Sequence, residues 1–186
     1  YALPQLFMVL ATQNPIEQEG TYHLPEAQLD RFLMQVVVDY PNRDEELKIL
    51  ELDNDRQREK PRPPANPLPQ EELFAMRTAA ASLFMDPKLN RYMVDLIQAT
   101  RNPSAYDKEL ARWVRFGASP RATLALARCA RARAWLDGES FVSPAHIQNI
   151  AVDILRHRLL LTFEAEAEGI TTDDVIGRLI SLVAIP

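Results

Sequence analysis

The chain has 186 residues, of which 47% are hydrophobic and 25% charged, a composition typical of a soluble globular protein with one domain or two small ones. The net charge of −5 argues against a general nucleic-acid binder, and no uncharged apolar run is long enough for insertion across a membrane. The single cysteine, Cys129, excludes an intramolecular disulfide framework and favours a reducing compartment.

The first forty residues predict part of a parallel sheet. The chain opens on Tyr1 and not on methionine, which predicts a fragment of a longer protein, and its start lacks the basic segment of a signal peptide. The runs 7–12 and 33–38 are continuously apolar, as in strands that are buried on both faces. Between them, Pro25 opens a predicted short helix over 25–32.

The next segment predicts one helix and a linker. Asn42 and Glu45 have the spacing of a capping box, which favours a helix over 43–58. Five prolines within 61–69 then predict an extended linker.

The remainder of the chain is predicted to be helical. Apolar residues recur at helical spacing, and Ser-Pro, Asp-Pro or Thr residues stand at the expected helix starts. The predicted helices cover 70–84, 87–101, 120–137 and 144–158, with a last one opened by Thr171 and Asp174. Gly138 is predicted to end the third of them in a left-handed conformation. The expected fold class is therefore an α/β core fragment, with two strands of a parallel sheet, followed by an all-α domain, mainly α overall.

Three polar residues lie where predicted elements begin or end. Asn14 follows the first strand at the carboxyl edge of the sheet, where its amide can hold a water or a phosphate oxygen, or simply form a turn. Arg31 ends the short helix, where it is a candidate site residue or a solvated arginine that favours the helix dipole. Arg121 lies in the first turn of a helix capped by Ser119, a position that calls for a bound anion or a nearby carboxylate.

In this order and spacing, the three residues carry a family resemblance. ATQNPIEQEGTYHLPEAQLDRF, GASPRATLALARCARARAWLDG and ILRHRLLLTFEAEAEGIT resemble the MoxR family of AAA+ ATPases, relatives of the magnesium-chelatase motor subunit. The resemblance covers nearly the whole chain. It implies that Asn14 is the sensor-1 residue, Arg31 the arginine finger and Arg121 the nucleotide-binding sensor-2 arginine. His23, where the family favours proline, and the irregular segment 102–116 depart from the pattern.

The resemblance also implies an organisation and an activity. Residues 1–40 correspond to part of the nucleotide-binding core, 41–69 to a helix and linker, and 70–186 to an all-α lid. The intact parent is expected to be a bacterial, cytoplasmic, homo-oligomeric ring, usually a hexamer, which hydrolyses ATP with Mg²⁺. Its expected roles are chaperone-like remodelling or metal-cofactor insertion in client proteins, beside von Willebrand A domain proteins.

The motifs that bind phosphate and Mg²⁺ are missing from this sequence. None of its five glycines precedes a lysine in a phosphate-binding loop, and no apolar run ends in an acidic pair. We therefore expect the chain alone to bind no ATP or Mg²⁺ and to be inactive, and the histidine and cysteine spacing predicts no metal site. The strand with the phosphate-binding loop would lie between 7–12 and 33–38, so these runs are not expected to pair with each other. The alternative, from a different class, is a non-catalytic helical protein-interaction module.

Overall fold

The structure is a computed structural model that describes residues 1–13, 24–58 and 66–186. The described residues form nine α-helices, two 3₁₀ helices and one two-stranded sheet. The α-helices are α1 (Glu26–Leu29), α2 (Arg43–Arg58), α3 (Gln70–Ser82), α4 (Pro87–Arg101), α5 (Lys108–Trp113), α6 (Pro120–Leu136), α7 (Pro144–Leu155), α8 (Phe163–Ala167) and α9 (Thr172–Leu182). The strands are β1 (Val114–Phe116) and β2 (Leu160–Leu161), and the 3₁₀ helices are Pro103–Ala105 and Arg156–Arg158.

Helix α4 is stabilised by a local cap and by a long apolar face. The Asp86 carboxylate accepts the Lys88 N–H at 2.8 Å, and Pro87 occupies a position where a backbone donor is not needed. The predicted apolar stripe is confirmed, because the buried face includes Leu89, Tyr92, Met93, Leu96 and Ile97.

Local sequence also sets the ends of the later helices. Helix α6 begins after Ser119 and ends just before Gly138, whose φ of 76° lies in the left-handed region that favours glycine. Thr171 and Asp174, which were predicted to open the last helix, form a capping box at the start of α9. These predictions are confirmed, whereas α7 ends at Leu155 and continues as a 3₁₀ turn.

Helix α6 lies at the centre of the helical body, where it packs against α3, α4 and α7. Its buried face carries small side chains, including Ala122, Ala125, Ala130 and Ala134, which let the neighbouring helices approach closely. Helix α9 packs against both α4 and α7, so the apolar core extends from Met85 to Val183. The mainly α fold class with a helical lid is therefore confirmed.

The two strands predicted near the start of the chain are not formed in the structure. Residues 7–12 and 33–38 have no strand assignment, and most of their apolar side chains are exposed. A strand is stabilised by backbone pairing with a neighbour, and these runs have none among the described residues. The two runs do not pair with each other, as expected, but neither is a strand, so the expectation that both flank an absent strand is not tested.

The sheet that does form lies in the helical part of the chain. Strands β1 and β2 are antiparallel, with Val114 opposite Leu161 and Phe116 opposite Leu160. The predicted all-α domain therefore includes a short strand pair, which joins the irregular segment 102–116 to the turn after α7. None of the helices in the described ranges is long and apolar enough to cross a bilayer.

Candidate functional site

Arg31 lies on the turn that follows α1. Its backbone N–H donates to the Gln28 carbonyl at 3.1 Å, which closes the turn. The Arg31 side chain is exposed and forms no ion pair with the part of the chain that the structure describes. Its guanidinium group is therefore accessible to an anion from another molecule.

Arg121 lies in the first turn of α6 and is paired with a carboxylate. Its backbone N–H donates to the Ser119 hydroxyl at 3.2 Å, and its guanidinium donates to the Asp30 carboxylate at 2.9 Å. A positive charge at a helix N-terminus opposes the helix dipole, and the charge of Asp30 offsets this repulsion. The alternative that Arg121 pairs with a nearby carboxylate is thus confirmed, and this carboxylate directly precedes Arg31 in the chain.

Asp30 connects the segment of Arg31 to the helical body. Its carboxylate accepts hydrogen bonds from the Ser119 hydroxyl at 2.8 and 2.9 Å to the two oxygens, from Arg121 at 2.9 Å and from Arg158 at 3.2 Å. Partial burial raises the pKa of Asp30, but hydrogen bonds from Arg121, Ser119 and Arg158 outweigh it, so the net shift of the pKa is downward. The carboxylate therefore remains charged well below neutral pH.

Arg158 is the buried member of this cluster. Besides the Asp30 carboxylate, its guanidinium donates to the backbone carbonyls of Asp30 and Leu33 at 3.2 Å each and to those of Phe32 and Ile154. Desolvation lowers the pKa of Arg158, and hydrogen bonding to Asp30 opposes the shift. These acceptors offset the large free-energy cost of removing the Arg158 guanidinium from water.

Three further contacts hold the segment after Arg31 on α7 and the following turn. The Gln35 N–H donates to the Asp153 carbonyl at 2.8 Å, and Arg156 donates to the Gln35 carbonyl at 2.8 Å. The His157 ring lies 3.3 Å from the Phe32 carbonyl. Burial lowers the pKa of His157, and the neighbouring charge of Arg158 adds to this effect.

The loop before α6 is held by close backbone contacts with the end of α4. The Ala118 N–H donates to the buried Thr100 hydroxyl at 3.0 Å, and Arg101 donates to the Ala118 carbonyl at 2.7 Å. A Cβ at Gly117 would lie 2.4 Å from the Thr100 carbonyl oxygen, so glycine permits this approach. The contacts fix Ser119, and with it the start of the helix that carries Arg121.

Sequence reasoning identified Arg121 but not the two residues that connect it to Arg31. Asp30 carried no signal of its own, since its donors lie 89 or more residues away in the chain. Arg158 could have been identified from the sequence as a buried charge, because it stands four residues after Ile154 and continues the apolar stripe of α7. Asn14 lies outside the described residues.

The described part of the chain forms neither a metal site nor a reactive thiol. Its His, Cys, Asp and Glu residues include no group of three or more that can hold a metal ion. Burial raises the pKa of the Cys129 thiol, which lies on the packed face of α6. A thiol with a raised pKa forms little thiolate at neutral pH and is a poor nucleophile.

Two family models match this chain. Residues 1–34 match the ATPase family associated with various cellular activities, and residues 110–179 match the AAA lid domain. The first match covers Arg31, and the second covers Arg121 and Arg158. An unrelated interaction module does not account for a match to an ATPase core.

Individual relatives agree with these matches. Chaperone MoxR1 of Mycobacterium tuberculosis is 40% identical over 187 residues, which cover 100% of this chain and 48% of that protein. Protein MoxR of Paracoccus denitrificans is 34% identical over 171 residues, or 87% of this chain and 50% of that protein. A crystal structure of a protein assigned as an ATPase from Cytophaga hutchinsonii has a TM-score of 0.89 at 36% identity and covers 100% of this chain and 56% of that one. The chain spans about half the length of the curated relatives it matches.

Proposed function

Since this chain belongs to the MoxR family of AAA+ ATPases, we propose that it forms the sensor and lid part of an enzyme that hydrolyses ATP. The observation that supports this proposal is the pairing of Arg121 with Asp30, which places the lid arginine beside the segment of Arg31. Both guanidinium groups are exposed, and both suit the oxygens of a phosphate chain.

The two arginines have different proposed roles. Arg31 acts as the arginine finger, which stabilises charge on the transferring phosphoryl group of a neighbouring subunit's ATP. Arg121 binds nucleotide phosphate and links the angle of the lid to the nucleotide state. Asn14 positions the attacking water as the sensor-1 residue. ATP supplies the phosphoryl group and Mg²⁺ neutralises its charge, while the phosphate cradle and Mg²⁺ ligands come from outside this sequence.

The proposed organisation of the whole protein follows the family. Residues 1–40 form part of the nucleotide-binding core, 41–69 connect it to the lid, and 70–186 form the lid. The subunits assemble into a cytoplasmic ring, most simply a hexamer, with active sites at subunit boundaries. ATP hydrolysis then drives chaperone-like remodelling or metal-cofactor insertion in a client, in concert with von Willebrand A domain proteins.

Replacing Arg31 by alanine in the full-length ATPase tests the proposal. Arg31→Ala should leave nucleotide affinity nearly unchanged and lower turnover by about 10³-fold or more, because a finger acts mainly on the transition state. The measurement is steady-state ATP hydrolysis beside equilibrium binding of a non-hydrolysable ATP analogue. Arg77→Ala is the matched control, since Arg77 is an exposed arginine on α3 that forms no hydrogen bond or ion pair with Asp30 or Arg121.

Mixed rings distinguish a finger from a residue that acts within its own subunit. A variant without the Mg²⁺-binding carboxylate should partly restore activity to Arg31→Ala subunits, because each variant damages a different half of a shared site. Rings that exchange subunits yet show no restored activity would contradict the assignment. The chain of 186 residues assayed alone should hydrolyse no ATP, and family-typical turnover by it would contradict the proposed division of the site.

A further inference from the structure

The cluster around Asp30 contains two arginines in very different environments. The side chain of Arg158 is 2% exposed, whereas that of Arg121 is 57% exposed. Arg158 also donates to several backbone carbonyls, but the Arg121 guanidinium has Asp30 as its only partner among the described residues. Arg121 can therefore leave Asp30 without stranding a buried charge, and Arg158 cannot.

The Asp30 carboxylate also remains satisfied if Arg121 moves away. It is 16% exposed, and the Ser119 hydroxyl and Arg158 continue to donate to it. Ser119 caps α6 and donates to Asp30 at the same time, so the start of the helix stays attached to Asp30. Movement of Arg121 thus requires a rotamer change of one exposed side chain and no movement of α6.

A phosphate chain is a stronger acceptor for an arginine than one shared carboxylate. It carries more negative charge and presents several oxygens to the planar guanidinium group. A nucleotide phosphate that comes within reach of Arg121 therefore competes with Asp30 for the same donor.

We propose that Asp30 is a positioning residue that holds Arg121 when nucleotide is absent and releases it to a nucleotide phosphate, while Arg158 keeps Asp30 in place. This inference rests on the proposed function, because it takes Arg121 as the residue that meets the nucleotide. It adds a competitor for Arg121 on the segment of Arg31, and this competitor lowers nucleotide affinity.

Asp30→Asn in the full-length ATPase tests the competition. Asparagine keeps the shape and an acceptor for Ser119 and Arg158 but removes the charge that holds Arg121. The affinity for a non-hydrolysable ATP analogue, measured by calorimetry, should rise by about two- to fivefold, the factor that an exposed ion pair is worth. A merely structural role for Asp30 predicts the opposite sign, because a damaged lid binds nucleotide less tightly.

Three further variants make the result specific. Glu164→Gln removes the charge from the exposed pair between Glu164 and Arg112, which contacts neither Asp30 nor Arg121, and should leave affinity unchanged. In an Arg121→Ala background, Asp30→Asn should no longer raise affinity, because the competed donor is gone. Asp30→Glu keeps the charge and should keep affinity close to that of the unsubstituted protein.

The unsubstituted ATPase provides an independent measurement in case Asp30→Asn fails to fold. Carbodiimide and an amine modify accessible carboxylates, and mass spectrometry locates them. Addition of the ATP analogue should increase modification of Asp30, because Arg121 no longer covers it, and should leave modification of the exposed Glu164 unchanged. Unchanged or decreased modification of Asp30 would overturn the exchange.

The outcomes separate this inference from the proposed function. If Arg121→Ala weakens analogue binding but Asp30→Asn leaves it unchanged or weaker, the exchange is refuted and the role of Arg121 stands. If Arg121→Ala binds the analogue as tightly as the unsubstituted protein, Arg121 does not meet the nucleotide and both are refuted.

Discussion

Gly117→Ala should destabilise the protein, although it adds only one methyl group. The new Cβ would lie 2.4 Å from the Thr100 oxygen, 2.5 Å from the Thr100 carbonyl carbon and 2.7 Å from the Arg101 nitrogen. All three are backbone atoms at the end of α4, so no flexible side chain can move aside to relieve the clash. Overpacking costs about 1–3 kcal/mol, and we expect the upper part of this range because the obstacle is backbone.

Gly177→Ala is the matched control, because it makes the same chemical change in open space. Apart from its chain neighbours and the backbone of its own helix, no atom lies within 4 Å of a Cβ at Gly177, which is in the middle of α9. Alanine at an exposed helical position is more favourable than glycine by about 0.5–1 kcal/mol. The two variants should therefore shift the free energy of unfolding in opposite directions.

Urea unfolding followed by far-ultraviolet circular dichroism measures both variants. The midpoint should fall for Gly117→Ala and rise for Gly177→Ala, with similar slopes if only stability has changed. Gly117→Ala should also displace Ser119 and so weaken the contact between Arg121 and Asp30. A Gly117→Ala protein as stable as the unsubstituted one would refute the close approach of the loop to α4.

Three other substitutions test the pH response, the core and a helix cap. Burial lowers the native pKa of His157, so the unfolded state takes up its proton first and stability should fall as pH drops below about 6.5. His157→Gln should flatten this part of the curve of unfolding midpoint against pH, and an unchanged slope between pH 7.5 and 5.5 would contradict the assignment. Leu126→Ala, at a fully buried position, should cost about 2–5 kcal/mol in urea unfolding, whereas exposed Leu124→Ala should cost much less. Asp86→Ala should cost about 1 kcal/mol in the same assay, since it removes the cap of α4, and no loss would contradict the cap.

Helices were predictable because their determinants are local. The cap at Asp86, the apolar stripe of α4 and the stop at Gly138 each involve residues within a few turns of one another. Strands depend on a partner that can be far away in the chain, and the same rules failed for 7–12 and 33–38. An apolar run indicates that a segment is buried. It indicates a strand only when the neighbouring element that buries the segment is also known.

The candidate site was predictable only where the sequence contained a local conflict. An arginine in the first turn of α6 opposes the helix dipole, which indicated that an anion lies nearby. The structure identifies this anion within the chain as Asp30, which is 91 residues from Arg121. The sequence therefore indicated that Arg121 has a negatively charged partner, but only the fold identifies which residue that partner is.

Arg158 shows why a charged residue occupies a position on the apolar stripe of α7. An apolar side chain of similar size would fill the same volume without the desolvation cost of a buried guanidinium. It would, however, leave the Asp30 carboxylate and the carbonyls of Asp30 and Leu33 without the donor that they share. The segment next to Arg31 would then lose several of the contacts that fix it on the lid. The burial of Arg158 is therefore better explained by the placement of Arg31 and Asp30 than by the stability of the helical core.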